Sequence, residues 1–330
     1  MTKIFYLIAG ETQFKRTDEK ILRSFTSLKK INCQHITDYF NIKIFLNMIW
    51  CDTIIMWFAS RHSIPVVLLN YFFKRKLIII AGGFDVAKLR QINYGGMQGG
   101  YRTNIGRWIL NKANKVIAVS KSNKNEIIQN GRIHNSKVEL IYNCIEPPLI
   151  EKSDLQKKNQ ILTVGELNEE TYLRKGLDRF IEIARIFPEI KFYHIGKWTN
   201  KKGNESKKKI EELISISPLN ITYLGYVSRD TLINYYKESK IYLQLSRHEA
   251  FGVSVVEAIS YNCIPIVSNA FALPELIDED GYVVDNMSQA VKKIKKTIKS
   301  KIDNQQSYRF IKRYSIESRS AGFKKILNVI

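Results

Sequence analysis

The chain has 330 residues, 45% hydrophobic, 11% aromatic and 25% charged, a composition that excludes a disordered or fibrous protein and a length that exceeds what one compact core usually serves. Its formal net charge of +21 is uneven, with 22 Lys and Arg against 9 Asp and Glu in residues 1–150 and 30 against 22 in residues 151–330. A basic first half suits nucleic acid, a phosphorylated ligand or an acidic membrane, although a general bias toward Lys, Asn and Ile would give the same excess.

In chain order, "KIFYLIA" at residues 3–9 reads as a first strand rather than a signal peptide, because no small-residue cleavage site follows it. Further β-rich runs lie at residues 53–59, 76–83, 115–120 and 138–143. The tracts "IFLNMIWCDTIIMWFA" and "IPVVLLNYFF" are interrupted well short of the ~20 residues a membrane span needs. "LLNYFFKRK" places aromatics beside cations, the composition either of a solvated basic cap or of a contact with acidic lipid. "GGMQGGY" does not join a strand directly to a helix, so it predicts a flexible loop rather than a dinucleotide fingerprint.

"EPPLIEKSDLQKKNQ" reads as an interdomain linker, after which the series restarts with strands expected at residues 160–166, 191–197, 220–227, 240–246, 264–268 and 281–285. Helical patterns such as "LDRFIEIARIF" and "RDTLINYYKES" separate them. Near-continuous Ile/Val strands alternating with helices predict an α/β protein of two doubly wound parallel sheets facing across a cleft. The basic helical stretch from residue 300 onward has no strand to pair with and is expected to pack across the existing domains. The expected division is 1–150, 151–311 and a C-terminal helix over 312–330. Cys33, Cys51, Cys144 and Cys263 are scattered, with no CxxC and no His at ligand spacing, so they are expected to be reduced and inert. No metal and no other cofactor is expected.

The stretch "SRHEAFGVSVVE" at residues 246–257 carries the chemistry. It follows the strand "KIYLQLS", so Glu249 belongs to a loop at the carboxyl end of a strand, where ligands of such sheets bind. Gly252 permits close backbone approach, and the amides of Val253 and Ser254 open a helix as an anion-favouring N-terminus. Glu257 then falls within the helix among apolar neighbours, where a carboxylate is costly unless something bonds to it. A loop acid, a phosphate cradle and a helix acid in that order suit a nucleotide sugar.

"HEAFGVSVVEA", together with "GLDRFIEIARIFPEIKFYHIGK", "GYVSRDTLINYYKESKIYLQLS" and "CIPIVSNAFALPELI", resembles the retaining glycosyltransferases of family four, with their E-x7-E signature and GT-B fold. The resemblance implies two Rossmann-like domains, the C-terminal helix crossing back to the first. It implies that Glu249 bonds the donor sugar and Glu257 the ribose, with Phe251, Gly252, Val253 and Ser254 at the sugar and diphosphate. "YLRKGLDRF" matches the family's Lys-Gly element, which gives Lys175 the departing diphosphate. The family's usual arginine is replaced by Glu166, and Arg174 is the expected substitute; two cations at a strand-end loop suit a leaving diphosphate. Glu275 either bonds the donor or caps the short "PELI" turn, in a loop lacking the family's usual glycines. His248 either bonds the sugar or supports its loop.

The first half resembles the family more loosely. Gly10 would bring a backbone amide to the diphosphate, and Asp85, Ser120, Lys124 and Asn143 would face the acceptor, though turn chemistry explains Asp85 equally well. The expected activity is transfer of a sugar from a UDP- or GDP-sugar to a lipid-linked or growing saccharide acceptor, without metal and with retention. The expected place is the cytoplasm or the inner face of a membrane with an acidic surface. A basic nucleic-acid-binding protein is the alternative that charge alone would allow; it would need neither Glu249 nor Glu257. A nicotinamide oxidoreductase would need more glycines than "LIAGETQFKR" supplies.

Overall fold

The computed structural model describes residues 1–146, 157–199, 204–277, 281–300 and 312–329. Most of the expected linker around 146–160 and the first part of the basic stretch after residue 300, residues 301–311, therefore lie outside the described residues. The chain divides into two units, Met1–Cys144 with Tyr314–Ile330, and Ile145–Arg313.

Unit 1 runs β1 (Lys3–Ile8), α1 (Gln13–Arg23), β2 (Ser27–Asn32), α2 (Ile42–Trp50), β3 (Thr53–Trp57), α3 (Ile64–Phe73), β4 (Lys76–Ala81), α4 (Gly100–Lys112), β5 (Lys115–Ala118), α5 (Lys121–Gln129) and β6 (Val138–Leu140). Its strands form one parallel sheet in the order β2-β1-β3-β4-β5-β6. β3 is buried along its whole length, as the continuous run "TIIMW" requires of a strand covered on both faces. Phe5, Leu7, Ile54, Met56, Ile79 and Val116 meet in the core on one face of the sheet. Burying each such side chain contributes roughly 1.5–3 kcal/mol. β2 was not among the expected strands. It is an edge strand whose Lys29 and Lys30 interrupt the apolar pattern, and edge positions tolerate such cations.

The "LLNYFFKRK" segment is the end of α3, which packs on α2 through Phe45 and Phe73. Both helices leave apolar side chains in solvent: Ile42, Leu46 and Ile49 on α2, Leu68 and Phe72 on α3, with Phe40 just before α2. No helix among the described residues is long and apolar enough to cross a membrane.

Unit 2 runs β7 (Lys158–Val164), α6 (Glu169–Arg174), α7 (Leu177–Ile186), β8 (Lys191–Ile195), α8 (Asn204–Ser215), β9 (Ile221–Gly225), α9 (Arg229–Glu238), β10 (Ser239–Gln244), α10 (Val253–Ser260), β11 (Ile264–Ser268), β12 (Tyr282–Val284) and α11 (Met287–Lys299). Its parallel sheet has the order β12-β11-β10-β7-β8-β9 around a core that includes Ile161, Phe180, Phe192, Leu243 and Ile266. The order reverses between β7 and β10, the topological switch point of this sheet.

The last helix, α12 (Ile316–Leu327), belongs to unit 1 and packs against α1, as a helix with no strand of its own must. Its Arg319 is almost fully buried and grips Asp18 of α1 with two guanidinium nitrogens, one of them at 2.8 Å. Trp57 Nε1 donates to the same carboxylate at 3.1 Å, and Arg319 also donates to the carbonyls of Ile141 (3.1 Å) and Tyr142 (2.7 Å).

Candidate active site

The loops after β7 and β10 meet at the switch point of unit 2. β10 ends at Gln244, and Glu249 follows in the loop, 6% exposed. Its Oε1 accepts from Lys175 Nζ at 2.6 Å, Ser246 Oγ at 3.1 Å and Gln244 Nε2 at 3.4 Å. Its Oε2 has no partner among the described residues. Burial pushes the Glu249 carboxyl up, but the charges of Lys175 and Arg174 together outweigh it, and the group stays below the ordinary carboxylate range. The acid is therefore an ionised acceptor with one oxygen open.

Lys175 closes α6, and Gly176 turns the chain into α7 at φ +71°. A Cβ at Gly176 would lie 2.0 Å from the Leu245 carbonyl oxygen, so only glycine lets the Lys175 turn press against the end of β10. Arg174 adds its charge from the preceding position, its Nε 3.9 Å from Glu170 Oε1. Beyond Glu249 the chain enters α10 through Gly252 at φ +103°, with no side-chain cap and no acid in the first turn. Val255 and Val256 bond back to the Gly252 carbonyl, whereas the amides of Val253 and Ser254 have no acceptor among the described residues. Phe251 is buried, and the Ser254 hydroxyl accepts from Tyr242 at 2.9 Å. An open carboxylate oxygen, an ammonium and open helix amides can hold a ligand with hydroxyls at one end and phosphates at the other.

Glu257 lies on the buried side of α10. Arg229 donates to its Oε1 at 2.7 Å and Tyr236 to its Oε2 at 3.2 Å, while burial raises its pKa and Arg229 only partly offsets that. These partners were not anticipated. One signal was present: Arg229 opens α9 at the positive end of the helix dipole, where a cation is unfavourable unless an acid faces it. Two of the roughly four acceptor positions of a carboxylate remain for a ligand.

Two expected roles, those of Gly10 and Ser120, need correction, and the remaining residues lie as follows. The Gly10 amide is not open, since it donates to Asn32 Oδ1 at 2.8 Å. Ser120 is fully buried as the N-cap of α5, its hydroxyl accepting from the Asn123 amide at 2.9 Å, so it does not face a ligand. Asp85 is 4% exposed and accepts from the amides of Ala59 (3.0 Å) and Gly83 (3.1 Å); turn chemistry accounts for it, and burial pushes its carboxyl up to about 6. Asn143 is buried with its Oδ1 unbonded, and the Lys124 amide donates to the Ser120 carbonyl at 2.9 Å. Glu166 is taken up by Thr199 and by Asn168 Nδ2 at 3.1 Å. Glu275 sits in a short 3-10 turn. His248 is buried against Phe271, their rings 4.3 Å apart. Phe271 takes φ +50° in the loop that lacks the expected glycines, a left-handed step that is strained for an aromatic residue.

The family described as "Glycosyl transferases group 1" matches residues 147–317, and "Glycosyltransferase Family 4" matches residues 39–148. The chain is 23% identical over 192 residues to a phosphatidylinositol N-acetylglucosaminyltransferase subunit of Arabidopsis thaliana, covering 54% of this chain and 41% of that protein. It is 27% identical over 124 residues to alpha-galactosylglucosyldiacylglycerol synthase of Streptococcus pneumoniae, covering 38% of this chain and 32% of that protein. The chain thus spans less than half the length of these curated relatives. Among solved structures, Anabaena Alr3699/HepE in complex with UDP-glucose matches with TM-score 0.79 at 14% identity over 100% of both chains. Sucrose-phosphate synthase from Thermosynechococcus elongatus matches with TM-score 0.77 at 13% identity over 99% of this chain and 98% of that one. These structural likenesses establish the fold.

Proposed function

Since the chain belongs to the glycosyl transferases group 1 family and has the GT-B fold, we propose that it moves a sugar from a UDP- or GDP-sugar to a lipid-linked or growing saccharide acceptor with retention at the anomeric carbon. It is a glycosyltransferase; the donor, the acceptor and the stereochemistry are our reading. The observation that carries the reading is Glu249 Oε2, left open beside Lys175 and the Val253 and Ser254 amides at the switch point of unit 2. In this reading Glu249 takes the sugar hydroxyls and Glu257 accepts from the ribose. Lys175, Arg174 and the helix amides stabilise the charge that develops on the departing diphosphate. A relative in fold is seen with UDP-glucose, which favours a nucleotide-sugar donor.

Catalysis then rests on donor positioning and leaving-group stabilisation, with the acceptor attacking from the face the leaving group vacates. Metal independence is part of the proposal: cations and amides already stand where the diphosphate would lie. The acidic run at residues 278–280 has Asp-x-Asp spacing and lies outside the described residues, so chelation is the deciding test. A thermal-shift screen of UDP- and GDP-sugars selects the donor, a ligand at 100 times its Kd adding about 2.7 kcal/mol. EDTA-treated protein given that α-linked donor should turn over and yield an α-linked product by NMR. A β-linked product would overturn retention, and activity restored only by Mn²⁺ or Mg²⁺ would overturn metal independence.

The exposed apolar side chains of α2 and α3, with Lys43 and Lys74 exposed among them, favour a membrane surface as the place of work. The names of the two curated relatives, which include phosphatidylinositol and diacylglycerol, favour a lipid acceptor. Acidic liposomes should sediment the protein at low salt and neutral ones should not; equal behaviour toward both would remove this part.

A further inference from the structure

Unit 1 has its own switch point. Its strand order reverses between β1 and β3, so the loops leaving these strands diverge and open a cavity of about 870 Å³ at the carboxyl end of the sheet. That volume is within the range of ligand pockets. Part of its wall is apolar, formed by Cys33, Ala59, Phe84 and Ile105, and two arginines, Arg61 and Arg102, also line it.

The two guanidiniums are held together by a single phenol. Arg61 donates to the Tyr101 hydroxyl at 2.6 Å and Arg102 to the same oxygen at 3.4 Å, with both groups within 6.0 Å of the Tyr101 ring centre. Neither has a carboxylate partner among the described residues. The acids lining the cavity are already engaged: Glu11 with Arg16 and Lys30, Asp85 with two backbone amides. His62, also in the lining, is held near a pKa of about 4 by burial and stays neutral. Its Nε2 lies 2.9 Å from the Trp57 carbonyl and its Nδ1 2.7 Å from Ser60 Oγ.

Two like charges sharing one phenol repel each other, and Arg102 stands in the first turn of α4, where the dipole adds to the repulsion. α4 brings no acid and no side-chain cap to that turn. An anion seated between the arginines would reverse the sign of all these terms. A carboxylate satisfies one guanidinium fork; a phosphate ester has oxygens enough for two. Next to Tyr39 in the cavity wall comes Phe40, 85% exposed, the start of the apolar surface that runs onto α2.

We propose that this cavity binds a phosphate ester carried on an apolar chain, Arg61 and Arg102 gripping the phosphate and the apolar wall taking the first carbons. Calling that molecule the acceptor rests on the transferase reading; its binding does not.

Octyl phosphate, kept below its micelle concentration, is titrated calorimetrically into the full chain and into the Arg61→Gln/Arg102→Gln variant. Both residues are exposed, so the variant should keep the wild-type unfolding midpoint and UDP response. Its affinity for octyl phosphate should fall at least 30-fold. Octyl glucoside, which has the chain without the charge, and inorganic phosphate, which has the charge without the chain, should each bind wild type at least tenfold more weakly. Equal binding by the double variant or of octyl glucoside would overturn the anionic site, and equal binding of inorganic phosphate would overturn the amphiphile. Octyl phosphate binding in a protein that ignores every UDP- and GDP-sugar would sustain the site while the transferase assignment of its ligand fell.

Discussion

Lys175 and Glu249 form one device, although 74 residues separate them. Glu249→Gln keeps the size and removes the charge. It should lower kcat about 100-fold or more with little change in UDP affinity, because the lost interaction is realised mainly in the transition state. Lys175→Ala removes the cation proposed to face the leaving group and should cost about 10²–10³ in kcat. Because each group fixes the other, the double variant should lose little more than the worse single one. Losses that multiply would show two independent groups. The acids themselves were legible, since carboxylates amid "AFGVSVV" demand partners. Which partners was not legible: pairing across 74 positions is set by the fold and leaves no local trace in sequence, and across the 28 between Arg229 and Glu257 the one hint is the cation that opens α9.

At the scale of elements, the junction of α6 and α7 decides where Lys175 stands. Gly176→Ala brings a left-handed backbone penalty of about 1–2 kcal/mol plus a clash with the Leu245 carbonyl. Gly225→Ala, at φ +64° with no atom within 4 Å of its Cβ, brings only the first of these. Chemical denaturation should rank Gly176→Ala as more destabilising, by about 1–3 kcal/mol. Activity should fall in that variant and persist in Gly225→Ala. Equal stabilities would mean that the close approach to β10 is relaxed without cost. Most strands were readable because continuous apolar runs have few alternatives in an α/β protein. β2 was not, since an edge strand can carry "LKK" and lose little. Ser120 was misassigned for a related reason: a serine before a helix is both a cap and a ligand candidate, and only its burial separates the two.

Asp18 and Arg319 tie the last helix of the chain to the first, closing unit 1 across the whole length of the sequence. Each is 1% exposed in its side chain, so neither charge can be left alone. Asp18→Ala should destabilise unit 1 by about 3–5 kcal/mol, the cost of stranding a buried guanidinium. Asp18→Leu with Arg319→Met should cost far less, because no charge remains to strand. Denaturant unfolding of the three proteins checks this; a double variant as unstable as the single one would show that packing, not charge, holds α12. The tie was only half visible in sequence: a basic helix with no strand to pair had to return somewhere, but the buried acid that receives it sits in the polar pattern of α1.

That return also sets a timetable. Asp18 and Arg319 are 301 positions apart, so a ribosome adding about 5–20 residues per second makes the acid some 15–60 s before its cation. Once β6 ends at Leu140 the sheet of unit 1 is synthesised, and for the rest of that interval Asp18 and Trp57 wait for their partner. The unit that is translated first is therefore the one completed last, and a nascent chain stalled before α12 carries its defect at the opposite end from the stall.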